Sequence, residues 1–135
     1  MRKILITGSR DATSAMLAAA RKVVQQIAAE NGVLIVGDAP GIDAEAIREA
    51  DKLGVQVFVY GAYRRMRHST KNGRNTPLSC SYTERDRVMA EECDVCVAIW
   101  DGTSNGTRIT SHYAQSLGKP VTTWCKGVIT RLAVK

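Results

Sequence analysis

Val33-Leu34-Ile35-Val36-Gly37-Asp38-Ala39-Pro40-Gly41-Ile42-Asp43-Ala44 decides the fold of this chain. Val33 to Val36 are apolar without alternation, the pattern of a strand buried on both faces; a strand with one wet face would alternate. Gly37-Asp38 ends the run and Pro40-Gly41 turns the chain. From Ile42 the apolar positions Ala46, Ile47, Ala50 and Leu53 recur at helical spacing, closed by Gly54. A fully buried strand, a glycine-bearing turn and an amphipathic helix form the repeating unit of a parallel sheet covered by helices.

The same unit recurs on either side. Upstream, Lys3 to Thr7 reads as a strand, Gly8-Ser9-Arg10-Asp11 as a turn, and Met16, Ala20, Val23, Val24 and Ile27 as one helix face that stops at Gly32. Downstream, Val55 to Tyr60 is a third strand, and residues 61–81 follow without periodicity, a loop long enough to be expected functional or mobile. A helix over Tyr82 to Cys93 leads into the strand Val95 to Trp100, which ends at Asp101-Gly102. Gly106-Thr107 opens a last helix that reaches Leu117 and stops at Gly118, and Pro120 to Trp124 supplies a fifth strand. The expected fold class is α/β, a Rossmann-like three-layer sandwich around a mostly parallel five-stranded sheet. A single nucleotide-binding domain is expected over residues 1–135, with 62–81 a basic loop or lid.

Composition agrees with one domain, since 135 residues with 44% hydrophobic content suffice for one core. No apolar run approaches the roughly 20 residues that span a bilayer, and the amino terminus lacks a signal-peptide core. The four cysteines do not form a secreted disulfide framework in a chain able to build its own core, so a reducing, cytoplasmic setting without membrane association is expected. Cys93 and Cys96 straddle a helix end and a buried strand, and His68 and His112 are isolated. These residues read as packing or surface groups, and no metal site is expected. The net charge of +6 is concentrated in Arg64, Arg65, Arg67, Lys71 and Arg74, a run without an acid. Such a run suits a solvated loop, a lid over an anion, or a nucleic-acid contact.

Three strand-to-helix turns carry glycine with small polar or charged residues: Gly8-Ser9-Arg10-Asp11, Gly37 to Asp43, and Asp101-Gly102-Thr103-Ser104-Asn105-Gly106-Thr107. A parallel sheet places such turns along one edge, where helix amino termini present unpaired N–H groups and positive dipole ends. The candidate ligand residues are therefore Gly8, Ser9, Arg10, Gly37, Asp38, Gly41, Asp43, Asp101, Gly102, Asn105, Gly106 and Thr107, with Asp101 placed to accept a ribose hydroxyl. The turns are neither a dinucleotide fingerprint nor a Walker A loop, so they indicate phosphate or ribose without naming a base, and no further cofactor is expected.

These turns, together with the stretch from Glu84 to Val121, resemble the SLOG superfamily, which includes the lonely-guy nucleotide phosphoribohydrolases and DNA-processing protein A. The resemblance covers nearly the whole chain except residues 62–81 and the last ten. It implies that Arg85 contacts phosphate or sugar, that Met89 and Asp94 match the family pattern, and that Gly106 and Thr107 cradle the phosphate. It also implies a homodimer. Two positions depart from the pattern: Asp86 stands where the resemblance expects lysine, and Thr110 where it expects the catalytic glutamate. The segment Asp94 to Pro120 resembles nucleoside deoxyribosyltransferases as well, and Thr110 departs from them equally. Cleaving a base–ribose bond needs a carboxylate near the ribose, which would have to come from elsewhere, such as Asp38, Asp43, Asp86 or Asp101.

The leading expectation is therefore a nucleotide or nucleotide-derived phosphate ligand, bound as a signal is by a sensor. Cleavage of the base–ribose bond of a nucleoside monophosphate is one alternative. Nucleic-acid binding through residues 64–74 is another.

Overall fold

In the computed structural model, which describes residues 1–132, the strands alternate their side chains between two separate cores, as the unbroken apolar runs require. The elements are β1 (Lys3–Gly8), α1 (Ser14–Ala29), β2 (Val33–Gly37), α2 (Ile42–Leu53), β3 (Gln56–Gly61), β4 (Gly73–Pro77), α3 (Tyr82–Glu92), β5 (Val95–Trp100), α4 (Asn105–Ser116), β6 (Val121–Cys125) and β7 (Val128–Leu132). On one face of the sheet Ile4, Ile6, Leu34, Val36, Val57 and Val59 pack against Met16, Ala20 and Val24 of α1 and Ile42, Ala46 and Ala50 of α2. On the other, Leu5, Ile35, Phe58 and Cys96 pack against Met89 and Ala90 of α3 and Ala114 of α4. Removing one fully buried side chain such as Ile35 or Leu34 costs about 2–5 kcal/mol, because the cavity left behind adds to the lost transfer energy.

The result is a Rossmann-like three-layer α/β fold, with a sheet of seven strands rather than five, in the order β4-β3-β2-β1-β5-β6-β7. All pairings are parallel except β6 with β7. Both additional strands lie at the sheet edges. β4, Gly-Arg-Asn-Thr-Pro, carries no large apolar residue because an edge strand needs backbone partners on one side only; it pairs with β3 from Val57↔Gly73 to Gly61↔Pro77. It also corrects the expectation of an unstructured loop over residues 61–81. β7 returns from β6 through Lys126-Gly127, both at positive φ (51° and 82°), the backbone a two-residue hairpin turn requires. Among the described residues no helix is long and apolar enough to cross a membrane.

The helix ends follow local chemistry. Thr13 caps α1 by accepting from Met16 N, and Ser81 with Glu84 forms a reciprocal capping box at α3. The amino termini of α2 and α4 have no side-chain cap, and both lie at the carboxyl edge of the sheet.

Candidate functional site

A cleft of about 420 Å3 opens at the carboxyl ends of β1 and β5. In the strand order β1 lies between β2 and β5, so the connections after β1 and β5 leave toward opposite faces and part from each other. That divergence is what makes a crevice in an open parallel sheet.

One wall is built from the β1–α1 and β5–α4 turns. Ser9 is buried, and its Oγ accepts from Asp101 N at 3.2 Å while lying 3.1 Å from Ser104 Oγ. Ser104 in turn donates to Asp101 Oδ2 at 2.8 Å. Since each hydroxyl carries one proton, Ser9 donates to Ser104 and both protons are committed within the wall. Asp101 is committed as well: its Oδ1 accepts from Thr103 N and Ser104 N, both at 2.8 Å. The Ser104 and Thr103 backbone N–H groups, with their hydroxyls, hold the Asp101 carboxyl well below the usual carboxylate range. Asp101 thus shapes the turn.

With Ser104 held by Asp101 and Ser9, no side chain caps α4. The first helical N–H groups, those of Asn105, Gly106 and Thr107, are left for a ligand, beside a positive dipole end. Thr107 is buried yet lines the cleft, and its hydroxyl makes no hydrogen bond among the described residues. At Gly106 an added Cβ would meet nothing within 4 Å. Arg10, exposed on the same side of the cleft, has no ion-pair partner among the described residues.

The opposite wall comes from α2 and α3. Asp38, at the end of β2, is 1% exposed and joins two cations: Arg85 Nη1 at 2.7 Å and Arg67 Nη2 at 2.9 Å. Burial alone would raise its pKa, but the hydrogen bonds and charge of Arg67 and the charge of Arg85 hold it below the ordinary value. Arg85 also pairs with Asp86 through Nη2 at 2.9 Å. Asp86 is half-buried, and burial raises its carboxyl despite the neighbouring Arg85 and the Thr110 hydroxyl. Thr110, also buried, donates toward Gly106 O (2.9 Å) and Asp86 Oδ2 (3.3 Å). Asp43 is buried at the start of α2 and accepts from Ala39 N at 3.2 Å. Burial pushes it up to about 7, opposed in part by Arg85 and Ala39 N–H and reinforced by Asp86 and Asp38.

Of the residues singled out in the sequence, Gly8, Ser9, Arg10, Asp43, Arg85, Asp86, Met89, Asp101, Gly106 and Thr107 line the cleft. Gly37, Asp38, Gly41, Gly102 and Asn105 do not. Gly37 stands behind the wall, where a Cβ would come within 2.8 Å of Asp43 Oδ2 and 2.9 Å of the Arg85 guanidinium. Gly41, at φ 82°, allows the second turn to approach Arg10 O, which a Cβ would meet at 2.2 Å. Arg85, read from the resemblance as a phosphate contact, has its guanidinium engaged by two carboxylates. The basic segment is divided too: Arg67 is tied to Asp38, and Arg74 lies over the Phe58 ring at 3.8 Å. Tyr82 was not singled out in the sequence. It lines the cleft, with Arg67 4.4 Å from its ring centroid and Tyr63 edge-on at 5.4 Å. Cys93 and Cys96 are fully buried packing residues.

Fold and cleft together define a Rossmann-like protein with an open crevice at the strand-order switch. A model of the SLOG cluster4 family matches residues 1–131, and the chain belongs to that family. Among solved structures it is similar to the molybdenum cofactor binding protein of the phototrophic bacterium Rippkaea orientalis, with a TM-score of 0.82 at 21% identity, covering 93% of this chain and 77% of that one. It is also similar to the molybdenum cofactor carrier protein of Chlamydomonas reinhardtii (TM-score 0.73, 24% identity, 90% and 75% covered). DNA processing protein A of Helicobacter pylori, described with a single-stranded DNA binding mode, is similar at TM-score 0.68 and 18% identity, with 90% and 64% covered. At these identities the shared property is the fold. No curated protein matches the chain in sequence.

Proposed function

We propose that this protein binds a nucleotide or nucleotide-derived phosphate ligand in the cleft, with the phosphate on the first turn of α4. One observation carries the reading: the α4 amino terminus opens into the cleft uncapped, with the Thr107 hydroxyl free beside it. Anions bind where unpaired N–H groups and a positive dipole end coincide, and Arg10 adds a charge-assisted donor. The decisive measurement is calorimetric titration with AMP, ADP, ADP-ribose and cyclic nucleotides. Molybdenum cofactor and a single-stranded oligonucleotide complete the panel, because structurally similar proteins are named for binding them. Saturable binding of a phosphate-bearing small molecule is expected. A folded protein that binds nothing in the panel would refute the reading.

A second reading, hydrolysis of the base–ribose bond, is favoured by one contact. Asp86 reaches Thr110, the position of the absent glutamate, so α3 brings a carboxylate to that part of the cleft. Chromatography for free base, comparing the native protein with Asp86→Asn, tests it. No base release by the native protein disposes of catalysis and leaves binding standing.

A further inference from the structure

The cleft is divided in charge. The α4 turn, Thr107 and Arg10 make part of the lining receptive to an anion, whereas Asp43 from α2 and Asp86 from α3 add carboxyls, Asp86 within reach of Thr110 on α4 and Asp43 from the separate α2 wall. Arg85 is already shared between Asp38 and Asp86, so it does not form a pair with Asp43. Asp43 is 6% exposed; its Oδ2 accepts from Ala39 N, and its Oδ1 accepts from no described residue although the side chain lines the cleft. A carboxyl oxygen that opens to the cleft without a donor from the protein repels phosphate and accepts from a ligand that donates a hydrogen bond.

An aromatic side chain lines the same cleft. Tyr82 lies one helical turn before Asp86, so both face the same side of α3, and both line the cleft. Its ring is held by Arg67, Arg85 and Tyr63. Tyr63 and Arg64 adopt left-handed backbone (φ 52° and 58°), fixed by Tyr63 N to Cys80 O at 2.8 Å and Arg64 N to Leu78 O at 2.9 Å. A residue at positive φ without glycine's freedom is retained where the surrounding structure holds it, here keeping Tyr63 against Tyr82.

We infer that the ring end of the ligand is a flat heteroaromatic base bearing an exocyclic amino group, which donates to Asp43 and lies beside Tyr82. Asp43 is then the residue that selects among phosphate ligands of similar size. The inference rests on the binding reading above and adds to it the identity of the ring.

Two matched pairs isolate the amino group: AMP with IMP and CMP with UMP, each pair alike in phosphate and sugar. Titrated at pH 8, where Asp43 is ionised, the native protein is expected to prefer the amino member of at least one pair about tenfold or more. In Asp43→Asn the Ala39 N–H retains the amide oxygen, so the amide nitrogen, a donor, turns to the cleft. The preference is then expected to collapse or invert toward the oxo member, with the variant's fold checked by its thermal transition. Equal affinities within both pairs, an oxo preference in the native protein, or a ratio unchanged by Asp43→Asn would overturn the assignment while leaving phosphate binding intact. Failure of every nucleotide to bind overturns both.

Discussion

Thr110 donates its hydroxyl to Asp86 Oδ2 at 3.3 Å, so the position where the superfamily resemblance expects a glutamate touches a carboxylate from the neighbouring helix. Asp86 lies on α3 and is paired with Arg85 at 2.9 Å. Burial nevertheless raises the Asp86 carboxyl above its ordinary value.

The ion-pair core of the second wall sets the first prediction. Asp38 balances both Arg67 and Arg85 at 1% exposure, so Asp38→Ala leaves Arg67 without a carboxylate and the buried Arg85 with Asp86 alone. Breaking a buried pair from one side costs about 3–5 kcal/mol, and urea unfolding is expected to show a loss of that size. Arg67→Gln, which removes the more exposed partner, is expected to cost less.

Asp43 gives a pH signature of opposite sign to that of a salt-bridged acid. Its carboxyl is raised from 3.8 to about 7 in the folded protein, so the native state holds the proton more tightly than the unfolded chain. Below pH 4 both states are protonated and Asp43 contributes nothing; between about 4 and 7 stability falls as pH rises; above 7 the penalty is complete. The gap corresponds to roughly 4 kcal/mol. Asp43→Asn, which keeps an acceptor for Ala39 N, is expected to raise the thermal midpoint by several degrees at pH 8 and hardly at all at pH 4. A variant less stable than the native protein at pH 8 would contradict this placement of the charge.

Two glycines separate folding from binding. A Cβ at Gly8 would lie 2.5 Å from Ile42 Cγ2, so Gly8→Ala forces β1 and α2 apart and is expected to cost about 1–3 kcal/mol in denaturant titrations. At Gly106 a Cβ meets nothing, and alanine is the better helix residue. Gly106→Ala is therefore expected to leave stability unchanged or slightly raised while weakening the phosphate ligand, whose approach the new methyl obstructs.

Arg10 and the basic segment are distinguishable by titration. Arg10→Ala removes an exposed cation from the cleft wall and is expected to weaken a phosphate ligand about tenfold or more, at constant thermal midpoint. Neutralising Arg64 and Arg65, which do not line the cleft, is expected to leave that affinity unchanged.

The sequence revealed the architecture where burial dictated composition. Val33 to Val36 and Val95 to Trp100 had to be apolar throughout because both faces are covered, and the turns after them contain glycine where a Cβ would meet Asp43 and Arg85, at Gly37, or where φ is positive, at Gly41 and Gly102. β4 escaped because an edge strand imposes no apolar pattern. β7 had a readable signal, Lys126-Gly127 between two short β-prone runs, that pairs as a hairpin. The site was legible in outline through Gly8, Gly106 and Thr107. Its charge balance was not, because the pairing of Arg85 with Asp38, 47 residues away, and the burial of Asp43 arise only when α2 and α3 meet at the sheet edge. Tyr82 was hidden for the same reason: as a lone aromatic at a helix start it reads as packing until Tyr63 and Arg67 are seen to hold it.

Backbone amide NMR during titration with AMP tests the central claim most directly. The account predicts saturable shifts that are largest at Asn105, Gly106 and Thr107 and extend to Gly8 and Arg10, with residues 64–74 nearly unmoved. Saturable binding whose largest shifts fall in residues 64–74, with the α4 amino terminus silent, would contradict it.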